Sequence, residues 1–212
     1  MIDIRIAVAA KLRGIKYLVH FTKIENLPNI AKYGLMTRKN LDEKSLNYDY
    51  NDVQRIDGLT NSISLTFTFP NYRMFWRYRQ SSNYAVILLD AYKILSELTC
   101  AFHSTNAANN SERCRNIAER ITLNAFNKMF YEPSEGRARR GLDNNEPTDP
   151  QAEVLCFQDI PLKYFSQIVF EYGNSAQENQ KLFPNVACIV DRDYFAPRHD
   201  WSYWKVNRSD WE

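Results

Sequence analysis

Pro150-Gln151-Ala152-Glu153-Val154-Leu155-Cys156-Phe157 joins a polar segment to a run that is apolar from Ala152 on, apart from one carboxylate. A short apolar run bounded by turn residues reads as a buried strand. A carboxylate inside such a strand is costly unless paired or used, so Glu153 is expected to do chemistry rather than packing. Alternation along the strand would set Gln151 and Glu153 on one face and Ala152 on the other. Just upstream, residues 133–150 are rich in Gly, Asn, Arg and Pro and read as a long mobile loop.

Working outward, residues 62–69 alternate Ile63, Leu65, Phe67 and Phe69 with Ser and Thr, the pattern of a half-buried strand that Pro70 ends. Residues 83–89 (NYAVILL) read as a central strand, and 71–79 as a short helix. Residues 15–21 read as a first strand, after which Thr22 is expected to cap a helix starting near Lys23, with Glu25 completing a capping box and Gly34 closing the helix. Residues 37–52 are polar with little periodicity, a long loop with room for one short helix. A single helix is expected over 111–128, with Cys114, Ile117, Ala118, Ile121, Ala125 and Met129 on one stripe. Further strands are expected at 168–170 and 186–190, a helix at 176–182, and a tryptophan-bearing tail from 194 packed as a lid. Mixed strand and helix order gives an α+β class.

At 212 residues the chain suits one domain with its own core. A net charge of +2 gives no global case for nucleic acid, so local clustering has to carry it. The 13 tyrosines and 12 phenylalanines suit packing first and ring stacking second. Cysteines at 100, 114, 156 and 188 form no CxxC pair, and no zinc site or disulfide framework is suggested. No segment has the length of a signal peptide or membrane span, so a soluble, cytoplasmic monomer without a metal is expected. No Gly-rich nucleotide motif is present, which disfavours a dinucleotide dehydrogenase.

Three pieces carry polar chemistry. His20-Phe21-Thr22 ends the first strand, and its spacing puts His20 and Thr22 on one face. Asp52-Val53-Gln54-Arg55 closes the polar loop, with Arg55 suited to a phosphate or carboxylate. Gln151-Ala152-Glu153 opens the strand described first. Each alone has an ordinary explanation: a satisfied histidine, a solvated arginine, an edge-strand carboxylate.

In this order the three resemble one family. Tyr17-Leu18-Val19-His20-Phe21-Thr22-Lys23-Ile24-Glu25-Asn26-Leu27-Pro28, then Asp52 to Arg55, then Pro150 to Leu155, resemble the DarT DNA ADP-ribosyltransferase toxins over about residues 15–170. The resemblance implies a split pair of β-sheets clasping NAD, with peripheral helices. It places His20 and Thr22 on the adenosine ribose and the backbone of His20 and Phe21 on the nicotinamide amide. Asn26 and Leu27 would line the same pocket, with Tyr72 stacking on the nicotinamide and Gln151 beside the cofactor. Arg55 would sit near the NAD phosphates and the target base, Glu153 would bind the nicotinamide-ribose 2′-hydroxyl, and both would be catalytic residues. Arg137, Arg139 and Arg140, in the loop before the catalytic strand, would track single-stranded DNA. The 61–72 stretch is more similar to the guanosine-modifying branch than to the thymidine-modifying one. An antitoxin that reverses the modification is implied as partner. Transfer to protein, or a non-catalytic nucleic-acid-binding module, are the other readings of the same residues.

Overall fold

The computed structural model describes residues 2–49, 60–80, 83–109, 112, 116–132 and 136–206. Its centre is a seven-stranded sheet of order β4-β5-β2-β1-β3-β6-β7. The strands are β1 (Tyr17–Lys23), β2 (Ile63–Phe67), β3 (Tyr84–Asp90), β4 (Cys100–His103), β5 (Glu153–Cys156), β6 (Phe165–Phe170) and β7 (Ala187–Val190). All neighbours are antiparallel except β6 and β7.

The alternation in β2 resolves as expected. Ile63, Leu65 and Phe67 are buried while Ser64 and Thr66 are half-buried. Phe67 stacks near Phe102 and meets Phe126 edge-on at 5.6 Å, contacts each adding roughly 0.5–1.5 kcal/mol beyond area burial. This apolar face also carries Leu18, Ile87, Leu89, Val154 and Ile168. It is covered by α1 (Ile4–Leu12), through Ile6, Ala7 and Ala10, and by α5 (Ala91–Glu97), through Ile94 and Leu95. On the opposite face, Val19, Val86, Leu88 and Val169 pack against Phe75 of α4 (Tyr72–Tyr78) and Phe195. A third, smaller cluster joins Ala101, Ala107 and Leu155.

Several expectations change. The N-terminal segment is helical because Asp3 caps it, accepting from Arg5 N, a signal hidden by the short apolar stretch. Thr22 caps nothing. β1 runs on through Lys23, a 3-10 turn (Ile24–Asn26) intervenes, and α2 starts at Leu27 and ends at Tyr33. The polar stretch holds α3 (Arg38–Glu43), capped by Thr37. Among the described residues the helix expected over 111–128 is interrupted: Glu112 is helical, and Ile117–Arg120 and Leu123–Lys128 are separate helices, divided where Thr122 turns extended (φ −120°, ψ 153°) to cap the second. The loop before β5 contains a helical turn, Gly136–Arg139. The strand after it begins at Glu153 and not at Gln151. A turn precedes it, in which Ala152 N donates to Asp149 O at 3.0 Å and Gln151 N to Asp149 Oδ1 at 2.7 Å. Burial pushes the Asp149 carboxyl up, against the Gln151 amide, the Thr105 side chain and the nearby Arg73 and Arg198.

Candidate active site at the parting of two strands

β1 pairs with β3 along its whole length, from Tyr17–Asp90 to Lys23–Tyr84. It meets β2 at two positions, Leu18–Phe67 and Val19–Thr66. Beyond them β1 stays with β3, while β2 continues with β5 from Leu65–Val154 to Ile63–Cys156. Two adjacent strands held by different neighbours leave a wedge between them. A cavity of about 430 Å³ fills it, a size typical of small-molecule sites. Residues from both sheet faces line it, including His20, Thr22, Leu65, Ser64 and Glu153, with Asn26 and Ile30 along one wall and Asn71, Met74 and Tyr78 along another.

His20 spans the wedge, its Nδ1 2.9 Å from Ser64 O. A carbonyl only accepts, so Nδ1 carries the proton. Thr22 is buried, and its Oγ1 accepts from Asn26 Nδ2 at 3.0 Å. Asn26 also fastens the segment after α3, donating to Asp49 O at 2.7 Å and accepting from Asp49 N at 2.8 Å. One amide therefore ties the end of β1 to the rim of the cavity. The back wall is closed where Leu35 and Ile160 exchange backbone hydrogen bonds of 3.0 and 2.7 Å.

Glu153 opens β5 half-buried and faces the cavity. Its Oε2 accepts from Ala107 N at 2.9 Å. A backbone amide fixed in a turn holds a carboxylate's direction without neutralising it, which suits a group meant to oppose developing positive charge. Asn106 and Ala108, on either side of that amide, also line the cavity.

Of the residues expected at a cofactor site, the structure brings His20, Phe21, Thr22, Asn26 and Glu153 together. Leu27 is instead fully buried in the core. Gln151 lies in the turn and does not reach the cavity, because the alternation that paired it with Glu153 starts only at the strand. Tyr72 is also misplaced. Helix α4 turns Asn71, Met74 and Tyr78 to the cavity, and at about 100° per residue this sends Tyr72 to the far side, against Trp201 at 5.4 Å. Arg55 lies outside the described residues. The basic trio divides as well. The Arg140 side chain is 4% exposed and bonded to Glu132 at 2.7 Å, and Arg137 donates to Thr148 Oγ1 and to the carbonyls of Asp143 and Glu146. Burial, with other arginines nearby, holds the Arg137 guanidinium below its usual range. Arg139 is exposed.

Sequence reasoning missed Tyr33, Tyr48 and Tyr78, all at the cavity. The polar side of β2 was legible: Ser64 and Thr66, the half-buried partners of the apolar alternation, are cavity residues, as is the buried Ser62 just before the strand.

A family model described as ssDNA thymidine ADP-ribosyltransferase, DarT, matches residues 19–203. No curated protein sequence matches the chain. Among solved structures, Thermus sp. 2.9 DarT in complex with NAD+ superposes with a TM-score of 0.54 at 16% identity, covering 84% of this chain and 96% of that one. The same protein in complex with ADP-ribosylated ssDNA gives 0.56 at 14% identity, covering 85% and 96%. Thermosipho africanus DarTG in complex with ADP-ribose gives 0.59 at 18% identity, covering 85% of this chain. The chain spans about half the length of that last protein, 51%. A wedge-shaped cavity between parted strands, a fixed carboxylate facing it, and a family match over most of the length agree: the chain belongs to the DarT family, the NAD-dependent single-stranded-DNA ADP-ribosyltransferases.

Proposed function

We propose that NAD binds in the cavity between β1 and β2 and that Glu153 drives transfer of its ADP-ribose to a base of single-stranded DNA. The observation that carries this is Glu153 facing the cavity with its carboxylate fixed by Ala107 N–H. Breaking the bond between ribose C1′ and the nicotinamide nitrogen leaves positive charge on the sugar. A fixed carboxylate stabilises that charge more in the transition state than in the ground state. Nicotinamide leaves as a neutral molecule, so no strong acid is required. The new bond joins C1′ to a base nitrogen, which gives up its proton to the Glu153 carboxylate. His20 and Thr22 hold the adenosine ribose, Phe21 and Asn26 the same wall, and Tyr78 is the aromatic side chain of α4 placed to stack in the cavity. Arg55 serves the phosphates, and Gln151 and Leu27 shape the site only from behind.

Base chemistry needs an unstacked base, which single-stranded DNA supplies. With Arg137 and Arg140 engaged internally, the strand is read by Arg139 and by the exposed side of α4, where Trp76 and Arg77 face solvent and no acidic residue intervenes. Thymidine is the acceptor named by the family description, and guanosine is the acceptor favoured by the 61–72 stretch, whose Ser62, Ser64 and Asn71 line the cavity. In the cell the protein acts as a toxin countered by an antitoxin that removes the ADP-ribose. The test is incubation with NAD and single-stranded oligonucleotides that contain either thymine or guanine, read by mass spectrometry. A gain of one ADP-ribose on one of them supports the reading and names the base. No gain on any oligonucleotide, with label appearing on protein instead, overturns it.

A further inference from the structure

The loop that enters β5 is gripped from the C-terminal tail by residues that the proposed chemistry does not use. Arg198 and Asp200 are 4% and 3% exposed and form a bidentate pair, Nε to Oδ1 at 2.7 Å and Nη2 to Oδ2 at 2.6 Å. The guanidinium fork has further donors to place. Nη1 donates to Pro147 O at 2.8 Å and Nη2 to Thr148 O at 3.4 Å. Arg140 Nη1 reaches the same Thr148 carbonyl at 3.3 Å. Arg198 also shares a void of only about 10 Å³ with Asp149, Pro150 and Ala152, the turn from which Glu153 springs. That turn hangs on Asp149, whose Oδ1 and backbone O accept from Gln151 N and Ala152 N. The tail is itself seated on the core, with Phe195 against Phe75 and Trp201 edge-on to Tyr72. A buried ion pair is a poor source of stability, because desolvating both charges offsets their attraction. This one is better accounted for by what it holds: two successive carbonyls, six and five residues before Glu153.

We propose that Arg198 is a positioning residue for Glu153, through which the C-terminal tail sets the start of the catalytic strand. With the chain gripped at Pro147 and Thr148, the Asp149 turn has one place to begin. β5 then presents the Glu153 carboxylate to the cavity opposite Ala107 N–H. Arg198 does not line that cavity, touches neither NAD nor DNA, and no bond to it forms or breaks. Its effect is on the geometry of the group that meets the sugar, where small misplacements cost large factors in rate.

The inference rests on the functional reading above, and Arg198→Lys tests it in two backgrounds. That substitution keeps a cation for Asp200 but lacks the fork that spans Asp200 and both carbonyls at once. Transfer to a single-stranded oligonucleotide is measured for kcat and KM of NAD, alongside thermal melting. We expect Arg198→Lys to keep KM within about twofold while kcat falls about tenfold. On top of Glu153→Gln the same change should cost less than about twofold, because residues that act as a unit do not add. Wild-type kcat in Arg198→Lys overturns the proposal. So does a loss of equal size in both backgrounds, the mark of a merely structural role. If Arg198→Lys does not fold, Arg198→Met combined with Asp200→Leu removes both buried charges together and is judged by the same two outcomes. A wild-type protein with no transfer at all refutes the functional reading and this inference with it. An active wild type matched by Arg198→Lys refutes this inference alone.

Discussion

Replacing Gly34 by alanine probes the back wall of the cavity. Gly34 ends α2 at φ +77°, in the left-handed region, and a Cβ built there would lie 2.4 Å from Ile160 O and 3.0 Å from Pro161 Cα. Left-handed backbone costs an L-residue roughly 1–2 kcal/mol. The contact with Ile160 O is to backbone and cannot be relieved by a rotamer change. Relief requires parting Leu35 from Ile160, with two hydrogen bonds worth about 0.5–1.5 kcal/mol each. The total is about 3 kcal/mol, or a fall of roughly 6–12 °C in Tm for a chain of this size. Gly14 is the control: it has φ +75° and nothing within 4 Å of the added Cβ, so Gly14→Ala carries the conformational cost alone, a fall of about 2–8 °C. Calorimetry of both variants, with NAD titration of each, gives the comparison. Gly34→Ala should be the less stable and, because Gly34 and Leu35 line the cavity, the weaker NAD binder. Equal Tm values, with NAD affinity unchanged in Gly34→Ala, would refute the close approach of α2 to Ile160.

Other substitutions separate structural from functional roles. Arg140→Ala strips the half-buried Glu132 of its cation and should cost about 1–3 kcal/mol, whereas Arg139→Ala should leave Tm within about 2 °C and reduce the salt dependence of DNA binding. The reverse pattern in melting and salt titrations would return the basic trio to the DNA track. The buried hydroxyl of Tyr72 has no hydrogen-bond partner, so Tyr72→Phe should raise stability by about 1 kcal/mol with NAD affinity unchanged, and weakened NAD binding would put Tyr72 back in the site. Asp149 titrates above its ordinary 3.8 because burial penalises its charge. A raised carboxyl contributes stability fully below 3.8 and loses it as pH rises through the raised value. Asp149→Asn should therefore melt like the wild type near pH 3 and above it at pH 7, and an advantage independent of pH would contradict that assignment.

Much of this was legible in the residues. The alternation of Ile63, Leu65 and Phe67 with Ser and Thr set both the core side and the cavity side of β2. An isolated carboxylate at the head of an apolar run marked Glu153 correctly as facing something other than the core. What escaped depended on tertiary neighbours. Thr22 looks like a helix cap until β3 keeps β1 extended through Lys23. Gln151 shares a periodicity with Glu153 that the Asp149 turn interrupts. Arg137 and Arg140 resemble a free basic patch in a Gly-rich loop, because their partners Glu132, Asp143, Glu146 and Thr148 are recognisable only once the loop folds back. Tyr72 lies away from the cavity for a reason of helix phase, since the side of α4 that faces the cavity is fixed by where Phe75 packs.

The account depends on the Glu153 carboxylate acting on the sugar and not on holding NAD in place. Glu153→Gln keeps the size of the side chain and an oxygen to accept from Ala107 N–H, and removes the charge. Measured with a single-stranded oligonucleotide, NAD affinity should stay within about threefold while transfer falls about 100- to 1,000-fold. Transfer at wild-type rate, or NAD binding lost in step with it, would contradict the central claim.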